Sequence, residues 1–309
     1  MNFNRISAGL GLSVFSVISF GQTANPFLAA DPGSFLGARS QGRAGATAAS
    51  SLGIDSLFQN PASSAYDKNY SVGFNYGVAG DSMTVGIVDT QSGPVGAGIY
   101  YSRKDFQNAN FDLLGSGFGN LSRQEESAGF SLATLASPDL SIGTLVRWSY
   151  LKSFEPSVLS GKSWNFDLGA IYKFRPDFSM GITGQNFLRD SQGFRPRKFI
   201  LGAEFTPTVG MKLSAQGQNV SLRSAAATST FVLPNTSETW GYSLGGEYRF
   251  AEGPILRLGY EDLKAWNQKA LSLGAGFEDK SFAVEYALRA PVLETVGEPL
   301  HLISVTGFF

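Results

Sequence analysis

The chain has 309 residues, of which 43% are apolar and only 16% charged, against roughly 25% charged in an average soluble domain. Its 24 Lys and Arg balance 25 Asp and Glu, which removes the basic field that a nucleic-acid partner requires. The absence of cysteine excludes disulfides and thiolate metal sites. Glycine (37 residues) and aromatic side chains (13%) are in excess, and no apolar run reaches the roughly 18 residues of a transmembrane helix. A membrane β-barrel joins these features, with a soluble β-sandwich or solenoid as the alternative.

Residues 1–21 read as a secretory signal peptide. Arg5 is the only charge, and an apolar run from Ala8 to Phe20 follows it. Cleavage is expected after Gly21, with Ala24 as the other option and a membrane anchor or buried strand as the alternative reading. No cysteine follows the run, which excludes a lipoprotein.

Residues 22–66 differ from everything after them. Ala, Gly and Ser dominate from Gly37 to Ala48, and Asp55-Ser56-Leu57-Phe58-Gln59-Asn60-Pro61-Ala62 follows. Small residues permit close backbone approach, which suits a segment packed inside a barrel. The Asn60-Pro61 step favours a turn.

This stretch resembles the opening of the outer-membrane long-chain fatty-acid transporter superfamily (FadL-like), which includes the PorV-like barrels of type IX secretion. Gly37, Ala38, Arg39, Gly42, Gly45, Ala46, Asp55, Asn60, Pro61 and Ala62 match its pattern of small residues, an acid and an NPA step, while Arg43 and Ala44 depart from it. The resemblance implies an N-terminal hatch, or plug, and for the transporters passage of hydrophobic molecules. The chain is short for a fatty-acid transporter.

Residues 67–309 are expected to form the barrel, an all-β antiparallel structure of about fourteen strands. Phe282, Val284, Tyr286 and Leu288 alternate with Ala283, Glu285, Ala287 and Arg289. Similar alternation surrounds Leu168 and Leu244. Charge spacing supports the same period without any choice of faces. Asp167 and Lys173, Lys198 and Glu204, Glu247 and Arg249, Arg257 and Glu261, and Glu285 and Arg289 are all separated by even numbers, which random placement gives roughly one time in thirty. One face therefore stays free of charge, because a charge facing lipid at mid-membrane costs about 2–4 kcal/mol. The glycines of the other face (Gly73, Gly77, Gly143, Gly169, Gly245, Gly259) leave room for the N-terminal segment.

Short connections at Ser137-Pro138-Asp139, Arg175-Pro176-Asp177, Pro207-Thr208, Ala251-Glu252-Gly253 and Asp279-Lys280 alternate with longer ones near 104–122, 153–161, 188–196, 222–238 and 290–298. This is the asymmetry of periplasmic turns and outer loops. The connection near Gly80 is shorter than that scheme expects. The loop near 104–122 carries Phe106, Phe111, Leu113, Leu114 and Phe118, a candidate landing site for an apolar ligand or a surface for a protein partner. The chain ends in Phe309, preceded on the same face by Val305 and Ile303. This resembles the assembly signal of outer-membrane barrels and implies the barrel-assembly machinery as a partner.

Catalytic patterns fail on their context. Gly241-Tyr242-Ser243-Leu244-Gly245 matches a nucleophile elbow, yet it lies in an alternating strand rather than a strand-to-helix turn. His301, the only histidine, falls on the outward face. Gly161-Lys162-Ser163 lacks the earlier glycine of a phosphate loop, a position held by Pro156. One histidine and no cysteine make a transition-metal site improbable, and the carboxylates Asp167, Glu204, Glu247, Glu261 and Glu285 are expected to pair internally. The expectations are no enzyme activity and no cofactor or metal. The location is the outer membrane of a Gram-negative bacterium, in contact with its lipid. The function is transport of small hydrophobic, fatty-acid-like molecules, or a non-transporting interaction barrel with an envelope protein partner.

Overall fold

A computed structural model describes residues 35–66, 69–78, 82–109, 121–153, 160–188, 195–221, 238–251, 253–266, 268–292 and 299–309. The expected signal peptide and the first part of the 22–66 segment lie outside these residues.

The strands are β1 (Tyr70–Gly77), β2 (Ser82–Asp89), β3 (Val95–Ala109), β4 (Leu121–Leu135), β5 (Leu140–Ser153), β6 (Gly161–Arg175), β7 (Phe178–Gln185), β8 (Arg197–Thr208), β9 (Met211–Ser221), β10 (Glu238–Arg249), β11 (Pro254–Leu263), β12 (Gln268–Glu278), β13 (Phe282–Pro291) and β14 (Leu300–Phe308). Each pairs antiparallel with its sequence neighbours. β1 closes on β14 through pairs such as Phe74↔Val305 and Tyr76↔Ile303, giving a closed barrel of fourteen strands. Closure leaves no free sheet edge, so the sandwich alternative falls.

The period-two pattern sorts the wall as expected. Leu168, Leu201, Leu244, Leu258, Leu273 and Val284 point outward and are exposed, as are Trp164 (62%) and Trp240 (64%). Asn165, Asp167, Glu204, Ser243, Arg257 and Glu285 point inward and are buried. An apolar exterior around a polar interior inverts the order of a water-soluble protein, and it is the surface that lipid covers.

Connections of two to five residues lie on one rim; the other rim carries the longer ones, except for 78–81 between β1 and β2 and 264–267 between β11 and β12, which are as short as the turns. On the turn rim, Val209–Gly210 joins β8 to β9, with Gly210 at φ 86°. The turn expected at Pro207-Thr208 is thus displaced, because those two residues extend β8. A register irregularity between Phe205 and Thr208 accommodates the proline, which has no N–H for the ladder. β3 to β6 run 14–15 residues, longer than the roughly ten of a typical membrane-spanning strand, so β3 takes in the start of the loop expected near 104–122. Arg103 faces Glu126 and Lys104 faces Glu125 across β3 and β4, so opposite charges support the extension. Phe106 therefore belongs to β3, paired with Arg123, and not to the following loop.

Candidate functional site

Residues 35–66 pack against the inward side of the wall. They form a five-residue helix (Ala38–Gly42), a four-residue helix (Ser56–Gln59) and 3-10 turns at Gly53–Asp55 and Pro61–Ala65. These are too short to be stable alone, so contacts with the wall hold them.

The first half of the segment joins ion pairs to close approach: a Cβ on Gly259 would stand 2.5 Å from the Ala44 nitrogen, and one on Gly245 would stand 2.7 Å from the Arg43 carbonyl oxygen. Arg39 donates from Nε to Glu285 (3.0 Å) and also pairs with Glu278. Arg43 Nη1 reaches Glu204 at 2.7 Å, and the Ser50 hydroxyl donates to the same carboxylate. The network continues in the wall, where Arg257, with no exposed side-chain surface, bonds Glu247 (2.6 Å) and Glu285 (2.8 Å). Burial pulls the Arg39 guanidinium down, but Glu285, Glu278 and Glu247 more than offset it, and the net shift is upward. Beside it, the buried Asp55 carboxylate accepts the Gly37 N–H at 2.7 Å. Burial raises the pKa of Asp55, opposed by its bonds from Ser40 and Gly37.

The second half is held by shape. Leu57 and Phe58 join Phe35, Leu36 and Ile54 in one cluster with Val88, Tyr100 and Leu145 of the wall. The Phe58 and Tyr100 rings are centred 4.4 Å apart. Asn60 is fully buried and uses both ends of its amide. Oδ1 accepts the Ala62 N–H (3.1 Å), and Nδ2 donates to Ala48 O (2.8 Å) and Ala170 O (3.2 Å). It thus caps the turn at Pro61–Ala65, with proline at the first position, where no N–H is needed. The wall makes room with Gly143 and Gly169. A Cβ on Gly143 would stand 2.5 Å from the Ala62 nitrogen, and one on Gly169 would stand 2.0 Å from Asn60 Oδ1.

Of the motif residues, Gly37 lies against β1 and β14, Ala38, Arg39 and Gly42 lie against β11 to β14, and Asn60, Pro61 and Ala62 lie against β5 and β6, while the Gly45 carbonyl accepts from Gln59 within the segment, so the motif meets the wall in two separate places. The five carboxylates expected to pair internally do so. Asp167 meets Arg147, Glu204 meets Arg43, Glu247 and Glu285 share Arg257, and Glu261 meets Arg289. Sequence reasoning missed Arg43 as a partner. Its signal was present: a cation in a run of small residues needs a carboxylate if it is buried. It also missed Arg195, in the connection after β7, which contacts the buried Glu125 of β4. No spacing reveals that Arg195 meets a carboxylate on β4. Ser243 faces inward on β10 while His301 faces outward, bonded to Tyr286, so they form no catalytic pair. The side chain of Phe106, and Phe111, Leu113, Leu114 and Phe118 altogether, lie outside the described residues. No group of three or more His, Cys, Asp or Glu able to hold a metal occurs among the described residues.

No family model matches the chain, and no curated protein matches it. Solved structures do. The toluene transporter TbuX of Ralstonia pickettii superposes with a TM-score of 0.64 at 14% identity, over 88% of this chain and 97% of that one. The toluene transporter TodX of Pseudomonas putida superposes at 0.62 and 12% identity, over 93% and 98%. At such identity the likeness is one of fold.

Proposed function

We propose that this chain is an outer-membrane conduit for small hydrophobic molecules, closed at rest by its N-terminal segment acting as a hatch. The observation that carries this reading is the seating of residues 35–66 against the inward wall of a closed barrel. The apolar exterior suits a bilayer, and the two toluene transporters sharing the fold suggest toluene-sized cargo. In this reading residues 1–21 are removed as a signal peptide, residues 22–66 form the hatch and residues 67–309 form the barrel. In the same reading the apolar residues Phe106, Phe111, Leu113, Leu114 and Phe118 serve to collect ligand, and the chain performs no chemistry.

The test is reconstitution of the full mature chain into liposomes and measurement of toluene entry against empty liposomes. Faster entry is expected, and the Phe111→Ser/Leu113→Ser/Leu114→Ser variant should slow it at equal incorporation. If neither toluene nor a longer apolar probe enters faster than in empty liposomes, the conduit reading fails and the interaction barrel replaces it.

A further inference from the structure

The outer surface of the barrel is asymmetric in charge. Five described Lys or Arg side chains stand on outward strand positions, namely Arg103, Lys152, Lys162, Arg197 and Lys269, and all five lie at the rim of the longer connections. At the turn rim the described strands place no Lys or Arg outward, apart from Arg175 at the irregular end of β6, which pairs with Asp177 at 3.1 Å. The cost of an outward charge falls toward both interfaces alike, so it confines cations to the rims without choosing one. The choice of rim needs a second cause.

Arg103 pairs with Asp105 at 3.0 Å, Lys269 stands 3.9 Å from Asp262, and Arg197 donates to the Phe187 carbonyl at 3.1 Å. Lys152 and Lys162 are the two that adjoin. Tyr150 faces Lys162 across the β5–β6 ladder, so Lys152 is the diagonal neighbour of Lys162, with Cα atoms roughly 7–8 Å apart. Both side chains are exposed, and no carboxylate occupies an outward position among the described residues of β5 and β6. Glu126, outward on β4, faces Arg103 on one side and Tyr150 on the other. The Lys162 ammonium lies 5.5 Å from the centre of the Tyr150 ring. Toward mid-membrane, Trp148 faces Trp164 in the same ladder, the Trp148 and Tyr150 rings stack with centroids 6.4 Å apart, and Trp164 is largely exposed. Val146 and Leu168 continue the exposed surface below them. From rim to mid-membrane the face thus presents two ammonium groups, then ring faces, then aliphatic side chains.

From this layering we infer that the outer face of β5 and β6 is a docking site for a phosphorylated glycolipid of the outer leaflet, the class to which lipopolysaccharide belongs. Such a lipid presents phosphate, sugar ring and acyl chain in the same order from water inward. Its phosphate sits between Lys152 and Lys162 in charge-assisted hydrogen bonds, which offsets the repulsion of two adjoining cations. Its sugar rings lie along Trp148 and Trp164, where interfacial aromatic side chains belong, and its acyl chains cover Val146 and Leu168. Anionic headgroups confined to one leaflet supply the reason for cations at one rim. The inference rests on the outer-membrane placement of the chain and not on passage of cargo through the lumen.

The experiment is native mass spectrometry of the full mature chain, released from detergent after titration with diphosphoryl lipid A or with dephosphorylated lipid A. Diphosphoryl lipid A is expected to bind saturably, one per chain, and about tenfold or more tighter than the dephosphorylated form. Lys152→Met/Lys162→Met should weaken it by about tenfold or more, the scale of a lost bond to a charged group. Lys152→Arg/Lys162→Arg should retain binding, and so should Lys269→Met elsewhere on the same rim. The heat-dependent gel mobility of each variant verifies a closed barrel. Absence of saturable binding, equal binding of the dephosphorylated lipid, or undiminished binding in the double Met variant would overturn the inference. Displacement of the lipid by an equal concentration of inorganic phosphate would overturn it too, since the site would then be one for free anions. Sedimentation of the expressed chain with the outer-membrane fraction tests the placement separately, so failure of that reading and failure of this site are told apart.

Discussion

Both halves of the N-terminal segment lie close against wall glycines, and they differ in what is added to that approach. Around Arg39 and Arg43 the addition is ion pairs to Glu278, Glu285 and Glu204. Around Leu57, Asn60 and Pro61 it is apolar packing and backbone capping. Buried ion pairs are directional and add little net stability, yet become costly when one partner is lost. Shape contacts depend on neither pH nor salt, and they fail when volume changes. The two halves should therefore loosen under different insults.

The largest effect is expected on the charged half. Arg43→Met leaves Glu204 buried with only Ser50 and a distant Lys212, and breaking a buried pair costs about 3–5 kcal/mol. Amide hydrogen exchange across residues 37–50 should accelerate, while residues 56–65 keep their protection. Adding Glu204→Met should restore most of that protection, since an apolar replacement of both partners is nearly neutral. Acceleration across both halves together would show that they are one cooperative unit and would erase the distinction.

A smaller effect, in the opposite pattern, is expected from Gly143→Val. A Cβ there would already stand 2.5 Å from the Ala62 nitrogen, and overpacking of this kind costs typically about 1–3 kcal/mol. Exchange should now rise in residues 56–65 and remain slow in 37–50. High salt should leave this variant's exchange unchanged. If salt modulates it, charge contributes to the half assigned to shape.

The wall was more legible than what it encloses. The barrel of about fourteen strands expected from alternation forms with fourteen, because a period of two and the cost of charge in lipid act on every strand residue. The rim was less legible. Lys104 and Asp105 read as the start of a loop, but beyond the lipid a charge no longer ends a strand, and their opposites on β4 extend the ladder. In the segment, Asn60-Pro61-Ala62 announced a turn, since capping and the missing proline N–H are local facts. The partners of Arg43 and Arg195 lie 161 and 70 positions away in the chain, and no local pattern encodes which of several carboxylates a buried arginine meets. The glycines lay between these cases. Their inward parity was evident, and their reason required the fold: Asn60 and Pro61 approach Gly143 and Gly169, Arg43 and Ala44 approach Gly245 and Gly259, and Ile54 approaches Gly73.

The smallest expected effect tests whether the charged half responds to pH through Asp55. Its pKa lies above the ordinary carboxylate value because burial outweighs the bonds from Ser40 and Gly37. A carboxyl group whose folded-state pKa is raised contributes stability that is complete below its unfolded pKa, near 3.8. That contribution is lost as pH rises through the folded value. Protection of residues 37–50, corrected for the intrinsic pH dependence of exchange, should therefore decline modestly as pH rises from the ordinary carboxylate range. Asp55→Asn keeps an oxygen able to accept the Gly37 N–H and has no proton to lose, so this variant should flatten the decline. Residues 56–65, held by shape, should show no such slope in either protein. A decline that persists in Asp55→Asn would assign the pH response to the wall carboxylates around Arg39 and Arg257. An equal slope in 56–65 would mean that the halves are coupled more tightly than their separate contacts imply.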